Sequence, residues 1–166
     1  MKLPTFLKST ALGLASLMVL SAPAMAQDTY VWDEYGIGFT VAGDMIVDDS
    51  DPDAFNAVSS DGLISISLSP WADEDVDEET LGQATLEMAM EMYVFDDSDV
   101  DGDYVEIDTY NGFYLVVAPS DYDAPDFMLI ALLLDTESDT NLVAAIGFED
   151  GNEDEAIAIL NSLYSY

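Results

Sequence analysis

Beyond Lys8 the chain contains no Lys, Arg or His, yet it carries 35 Asp and Glu residues. No carboxylate in residues 27–166 can therefore pair with a cationic side chain. Any fold these residues adopt is held by apolar burial and backbone hydrogen bonds, against the self-repulsion of its own acids. The chain has the means, since half of it is hydrophobic and it includes 2 Trp, 9 Tyr and 7 Phe. That apolar content sets it apart from acidic chains that stay disordered. With no Cys, no disulfide contributes.

The two cations mark a targeting segment. Lys2 and Lys8 form a basic start, Ala11–Leu20 an apolar run, and Ala24-Met25-Ala26 a small-x-small cleavage site. The apolar run is too short to span a bilayer, which takes about 20 residues. The expectation is a secretory signal peptide over 1–26 and one domain over 27–166, exported to the periplasm or secreted, with no membrane insertion after cleavage. A mature chain of nearly pure negative charge suggests adaptation to a saline medium, where salt screens the repulsion.

Along 27–166 the pattern alternates between strands and two helices. Expected strands are Tyr30–Trp32, Ile37–Val41, Phe55–Val58 and Leu63–Leu68, the last two joined by Ser60-Asp61-Gly62. Asp48–Asp53 reads as a loop. A helix over Glu79–Phe95 is expected to bury Leu81, Ala84, Met88, Met92 and Phe95. A strand Tyr104–Tyr110 leads to Asn111-Gly112, read as a two-residue hairpin turn, and Phe113–Ala118 returns. Phe127–Leu134 and Leu142–Phe148 are apolar at consecutive positions, so both of their faces should be covered. A helix over Glu153–Tyr164 closes the chain, its first turn acidic as the helix dipole favours.

This order of elements resembles the PsbP-like superfamily. The resemblance rests on Tyr35-Gly36-Ile37-Gly38-Phe39-Thr40-Val41, on Asn111-Gly112-Phe113-Tyr114, and on the tail Ile159-Leu160-Asn161-Ser162-Leu163. It covers about residues 29–166. That superfamily includes a photosystem oxygen-evolving-complex subunit, a Ran-binding eukaryotic branch and many small exported bacterial proteins. The resemblance implies an α+β domain with a central antiparallel sheet flanked by helices, an α/β/α sandwich. It also implies a non-enzymatic accessory or binding module. Family members carry scattered Lys and Arg that are absent here, and no functional residue transfers by position.

The residue types narrow the chemistry. Without Cys, His, Lys or Arg there is no thiol nucleophile, Ser-His triad, imidazole metal site, Schiff base or phosphate clamp. No activity as an enzyme is expected. Nucleic acid and anionic lipid are unsuited as partners, because each requires a positive surface. Solvent cations and a protein or small-molecule client remain.

One spacing carries a mechanism of its own. Asp97-Ser98-Asp99-Val100-Asp101-Gly102 matches the opening of a Ca²⁺ loop, with Asp97, Asp99, Asp101 and Asp103 as candidate metal ligands. The twelfth position, Asp108, lies down an expected strand, about 17 Å away over five extended residues. It could not close on the same ion. No organic cofactor is expected, and Ca²⁺ is the one ion the pattern suggests. The alternative function is thus a Ca²⁺-binding or cation-buffering protein. The other reading of the same run is a solvated acidic turn. A separate expectation puts Tyr104 and Tyr110 on one face with Glu106 and Asp108, and leaves Trp71 and Tyr122 wet in loops. Aromatics set among acids suit a sugar, an amine or an apolar partner.

Overall fold

A computed structural model describes residues 27–72, 76–96, 100–121, 123–138 and 140–166. The expected signal peptide over 1–26 lies outside them. Ten strands and two helices follow one another as β1 Gln27–Trp32, β2 Ile37–Ala42, β3 Met45–Ser50, β4 Phe55–Ser59, β5 Ile64–Trp71, α1 Leu81–Met92, β6 Asp101–Ile107, β7 Tyr110–Val117, β8 Phe127–Asp135, β9 Asn141–Phe148, α2 Glu153–Asn161 and β10 Tyr164–Ser165. Seven strands form one antiparallel sheet in the order β3-β4-β5-β9-β8-β7-β6. A smaller sheet, β1-β2-β10, is also antiparallel. The fold is α+β and dominated by sheet.

The continuous apolar runs of β8 and β9 are buried on both sides. Met128, Ile130 and Leu132 of β8 join the clusters that α1 completes with Leu81 and Ala89. Leu129, Ala131 and Leu133 point the other way, into a larger core shared with Trp32 and Phe39 of the small sheet and with Ala156, Ile159 and Leu160 of α2. One face of the large sheet is thus covered by a helix. The opposite face is covered by a helix together with the small sheet, which the expected helix-flanked layout did not include.

The helices differ from expectation in detail. α1 is shorter than Glu79–Phe95. It starts after Thr80, where Asp77 Oδ1 accepts the Thr80 hydroxyl and the Glu79 and Thr80 N–H groups. It ends where Tyr93 turns extended. Its buried stripe is Leu81, Thr85 and Ala89, rotated from the expected one, and Met92 is exposed. Thr85 can be buried because its hydroxyl donates back to the Leu81 carbonyl at 2.8 Å. α2 likewise stops at Asn161.

The Asn111-Gly112 turn is a correction. The hairpin turns at Asp108-Thr109, and Asn111 and Gly112 lie inside β7, paired with Glu106 and Val105. Asp108 takes the left-handed conformation (φ 50°) that the turn needs. Its Oδ2 accepts the Ser165 N–H at 2.9 Å, tying β10 to the hairpin. Gly112 is required for close approach instead. A Cβ there would collide with Leu133 Cδ2 and sit 3.1 Å from the Leu132 carbonyl oxygen.

Candidate functional site

The expected metal ligands can be followed in part. Asp97 and Asp99 lie outside the described residues. Asp101 and Asp103 sit on β6, the last strand of the large sheet. Each carboxylate is turned along its own strand. Asp101 Oδ1 accepts the Gly102 N–H at 3.0 Å, and Asp103 Oδ1 accepts the Tyr104 N–H at 2.8 Å. Among the described residues no group of three or more Asp or Glu is arranged to hold a metal ion.

Asp101 and Asp103 share a sheet face with Tyr114, the cross-strand partner of Asp103. Burial raises the Tyr114 hydroxyl above its usual range, and the charges of Asp103, Asp101 and Glu153 push it further. Glu153 comes from the first turn of α2. With Asp101 it rims a concavity of about 420 Å³ whose walls include Val116 and Phe127. A neighbouring hollow of about 310 Å³ runs past Phe148, which stacks on Phe127 at 5.5 Å, to Asp150 and Asp154. Beside it Glu149 titrates above its usual range, because the Asp126 charge opposes its ionisation and the protonated Glu149 can donate a hydrogen bond to Asp126.

The opposite face of β6 carries a cleft of about 270 Å³. Leu81 contributes its apolar surface, the backbone at Val105 and Gly112 forms its floor, and Glu78, Glu106, Asn111 and Tyr104 make its polar and aromatic rim. The pieces come from four places in the chain: the turn before α1, the start of α1, β6 and β7. The Asn111 amide donates to Glu78 Oε1 at 2.6 Å, holding that carboxylate at the rim. The Tyr104 ring meets Phe113 edge-on, with centroids 4.8 Å apart, and remains 61% exposed. Two carboxylates and an aromatic ring therefore surround an apolar cleft that holds no cationic side chain of its own.

Expectation and structure agree that Tyr104 and Glu106 are exposed on β6. Tyr110 does not join them; it is buried, at 2% exposure. Burial, with the charges of Asp135 and Asp108, pushes its hydroxyl up to about 12. Trp71 ends β5 and leans half-buried on the α1 side of the sheet, and Tyr122 lies outside the described residues. Glu78, Leu81 and Asn111 were not expected at a site. Glu78 and Asn111 are 33 positions apart in sequence, so no local spacing links them.

No family model matches the chain, and no curated protein matches it. Solved structures do. The yeast Saccharomyces cerevisiae Ran-binding protein Mog1p aligns with a TM-score of 0.58 at 15% identity, over 86% of this chain and 96% of its own. A protein from Bacteroides thetaiotaomicron aligns with a TM-score of 0.51 at 11% identity, over 83% of this chain. This chain spans about half of that protein's length, 48%. At these identities the likeness is one of fold.

Proposed function

We propose that this is an exported, salt-adapted, non-enzymatic accessory module of PsbP-like type, whose acidic surface receives a positively charged client. In this reading the large sheet, with α1 on one face and α2 on the other, is the PsbP-like sandwich. The Tyr104 cleft is the seat for one cationic side chain of the client. The observation that carries the reading is the cleft's chemistry. An ammonium or guanidinium group seated there would meet Glu78 and Glu106, lie against the Tyr104 ring, and rest its methylene stem on Leu81. The absence of Lys, Arg and His from 27–166 means that no internal cation competes for the place.

The test is an NMR titration with N-acetyl-lysine methylamide, using the norleucine analogue as the uncharged control. The lysine compound should shift the amides of Tyr104, Glu106 and Asn111 and saturate in about the millimolar range, as expected for one cation–π contact and a carboxylate pair. The norleucine analogue should leave them in place. Shifts spread evenly over all the acidic surfaces, or equal shifts from the two compounds, would refute the cleft as a seat.

A further inference from the structure

We propose that the outer edge of β6 is a strand-addition site for an extended segment of another protein that carries Lys or Arg at alternate positions. The inference rests on the cationic-client reading and specifies how such a client docks. Among the described residues no strand pairs with β6 on its outer side. Its seven residues pair with β7 without a break in register. The opposite edge of the sheet, β3, is less suitable, because its pairing shifts between Val47 and Asp49.

The two-residue turn at Asp108-Thr109 fixes which groups face outward. Ile107 and Tyr110 flank the turn as a hydrogen-bonded pair, so bonding to β7 alternates back along β6. Gly102, Tyr104 and Glu106 then direct N–H and C=O away from the sheet. The Asp carboxylates agree with this assignment, since they cover the Gly102 and Tyr104 N–H groups. Covered donors and repeated acids protect the edge from neutral or acidic strands. A second copy of the chain would bring more carboxylates to the same edge and no cation from 27–166. A basic strand differs. Its ammonium groups, lying opposite Asp101 and Asp103 on one face, draw those carboxylates outward and uncover the N–H donors for its own carbonyls. On the other face its intervening side chain lies beside Tyr104, and a client that is basic at that one position as well places its cation in the cleft. Main-chain bonds supply affinity, and the acid spacing supplies specificity.

The experiment adds an acetylated, amidated heptapeptide of alternating Lys and Val to the purified ¹⁵N-labelled protein at low salt. A peptide of equal charge with Pro at the central Val position is the control. The alternating peptide should slow exchange of the Gly102, Tyr104 and Glu106 amides on the order of tenfold, and the Pro peptide should bind on the order of fivefold more weakly, since Pro cannot complete a ladder. The double variant Asp101→Asn, Asp103→Asn keeps the oxygens that cover the N–H groups and should weaken the alternating peptide by about tenfold. Equal binding of the two peptides with no slowed amide overturns the inference. If the lysine compound still titrates the cleft in that case, the client reading survives without strand addition. If neither peptide nor the lysine compound binds, both fail. Protection of the same amides that grows with protein concentration, without peptide, would assign the edge to self-association and overturn the proposed occupant.

Discussion

Single residues in this chain often serve a purpose other than the one their local pattern suggests. Asn-Gly is the commonest hairpin-turn dipeptide, yet Gly112 is needed here because the Leu132–Leu133 backbone and side chain press against it from β8. The crowding comes from a strand some twenty positions later, so nothing beside Gly112 announces it. Gly112→Ala should therefore cost about 1–3 kcal/mol, the usual cost of forcing a methyl group into a packed site. Urea unfolding measures it, and an unchanged midpoint would mean the strands can part at no cost. Asp101 and Asp103 follow the same logic. In a loop, alternate Asp residues converge on an ion. On a strand, alternation sets them on one face, each within reach of the next residue's N–H. The alternation was legible; whether it fell on a loop or a strand was not. The cleft was half legible, because Tyr104 and Glu106 were found together on β6 while Glu78 and Asn111 meet only through folding.

At the scale of elements, legibility followed burial. β8 and β9 were legible because strands covered on both faces need apolar residues at every position, and Met128–Leu133 supplies six in a row that are buried. β3 was not legible. Beyond Met45 its side chains are exposed at every position, so no alternation distinguishes it from a loop, and only pairing with β4 holds it in the sheet. β10 is two residues long and leaves no periodicity at all. It packs because Gly38 of β2 leaves room for the Tyr164 ring. The interior place of β8 is testable at Ile130, which has no exposed surface and faces α1. Ile130→Asp should cost roughly 3–5 kcal/mol by placing an unpartnered acid in an apolar layer. Ile130→Val should cost only about 0.5–1.5 kcal/mol. Chemical unfolding of the two variants separates these values, and similar small costs for both would show that the site reaches water.

The whole molecule is governed by charge without counter-charge. Repulsion among carboxylates is long-ranged at low salt and confined to about 3 Å in 1 M NaCl, so the melting temperature at pH 7 should rise with salt. The response to pH is less uniform than charge alone suggests, because the carboxyls fall into two groups. Glu149 is raised by the neighbouring Asp126 charge, and Glu155 by burial and then by Asp61. A raised native pKa means the folded state binds more protons than the unfolded state above the ordinary Glu value. Stability from these two is gained as pH falls toward their native pKa values and lost as pH rises through them. Asp61 and Asp77 are lowered, chiefly by the hydroxyls of Ser59 and Thr80. At Asp135 burial works upward, but the Ser138 hydroxyl and the Glu137 N–H outweigh it, and the net shift is down. For these three the unfolded state takes up protons first. Their contribution is complete above the ordinary Asp value of about 3.9 and is lost as pH falls below it. The melting temperature at low salt should therefore climb as pH drops toward the ordinary Glu value of about 4.3, and fall once pH passes below the ordinary Asp value of about 3.9. In 1 M NaCl the climb should flatten, since it arises from repulsion. The acid-side fall should persist, because it arises from short hydrogen bonds. Replacing Glu149 with Gln should raise the melting temperature at pH 7 and reduce the climb. A series of melts from pH 3 to 8 at two salt concentrations decides the matter. A curve that falls steadily from pH 7 downward would mean that the hydrogen-bonded Asp turns, and not the crowded Glu residues, set the pH response of the entire fold.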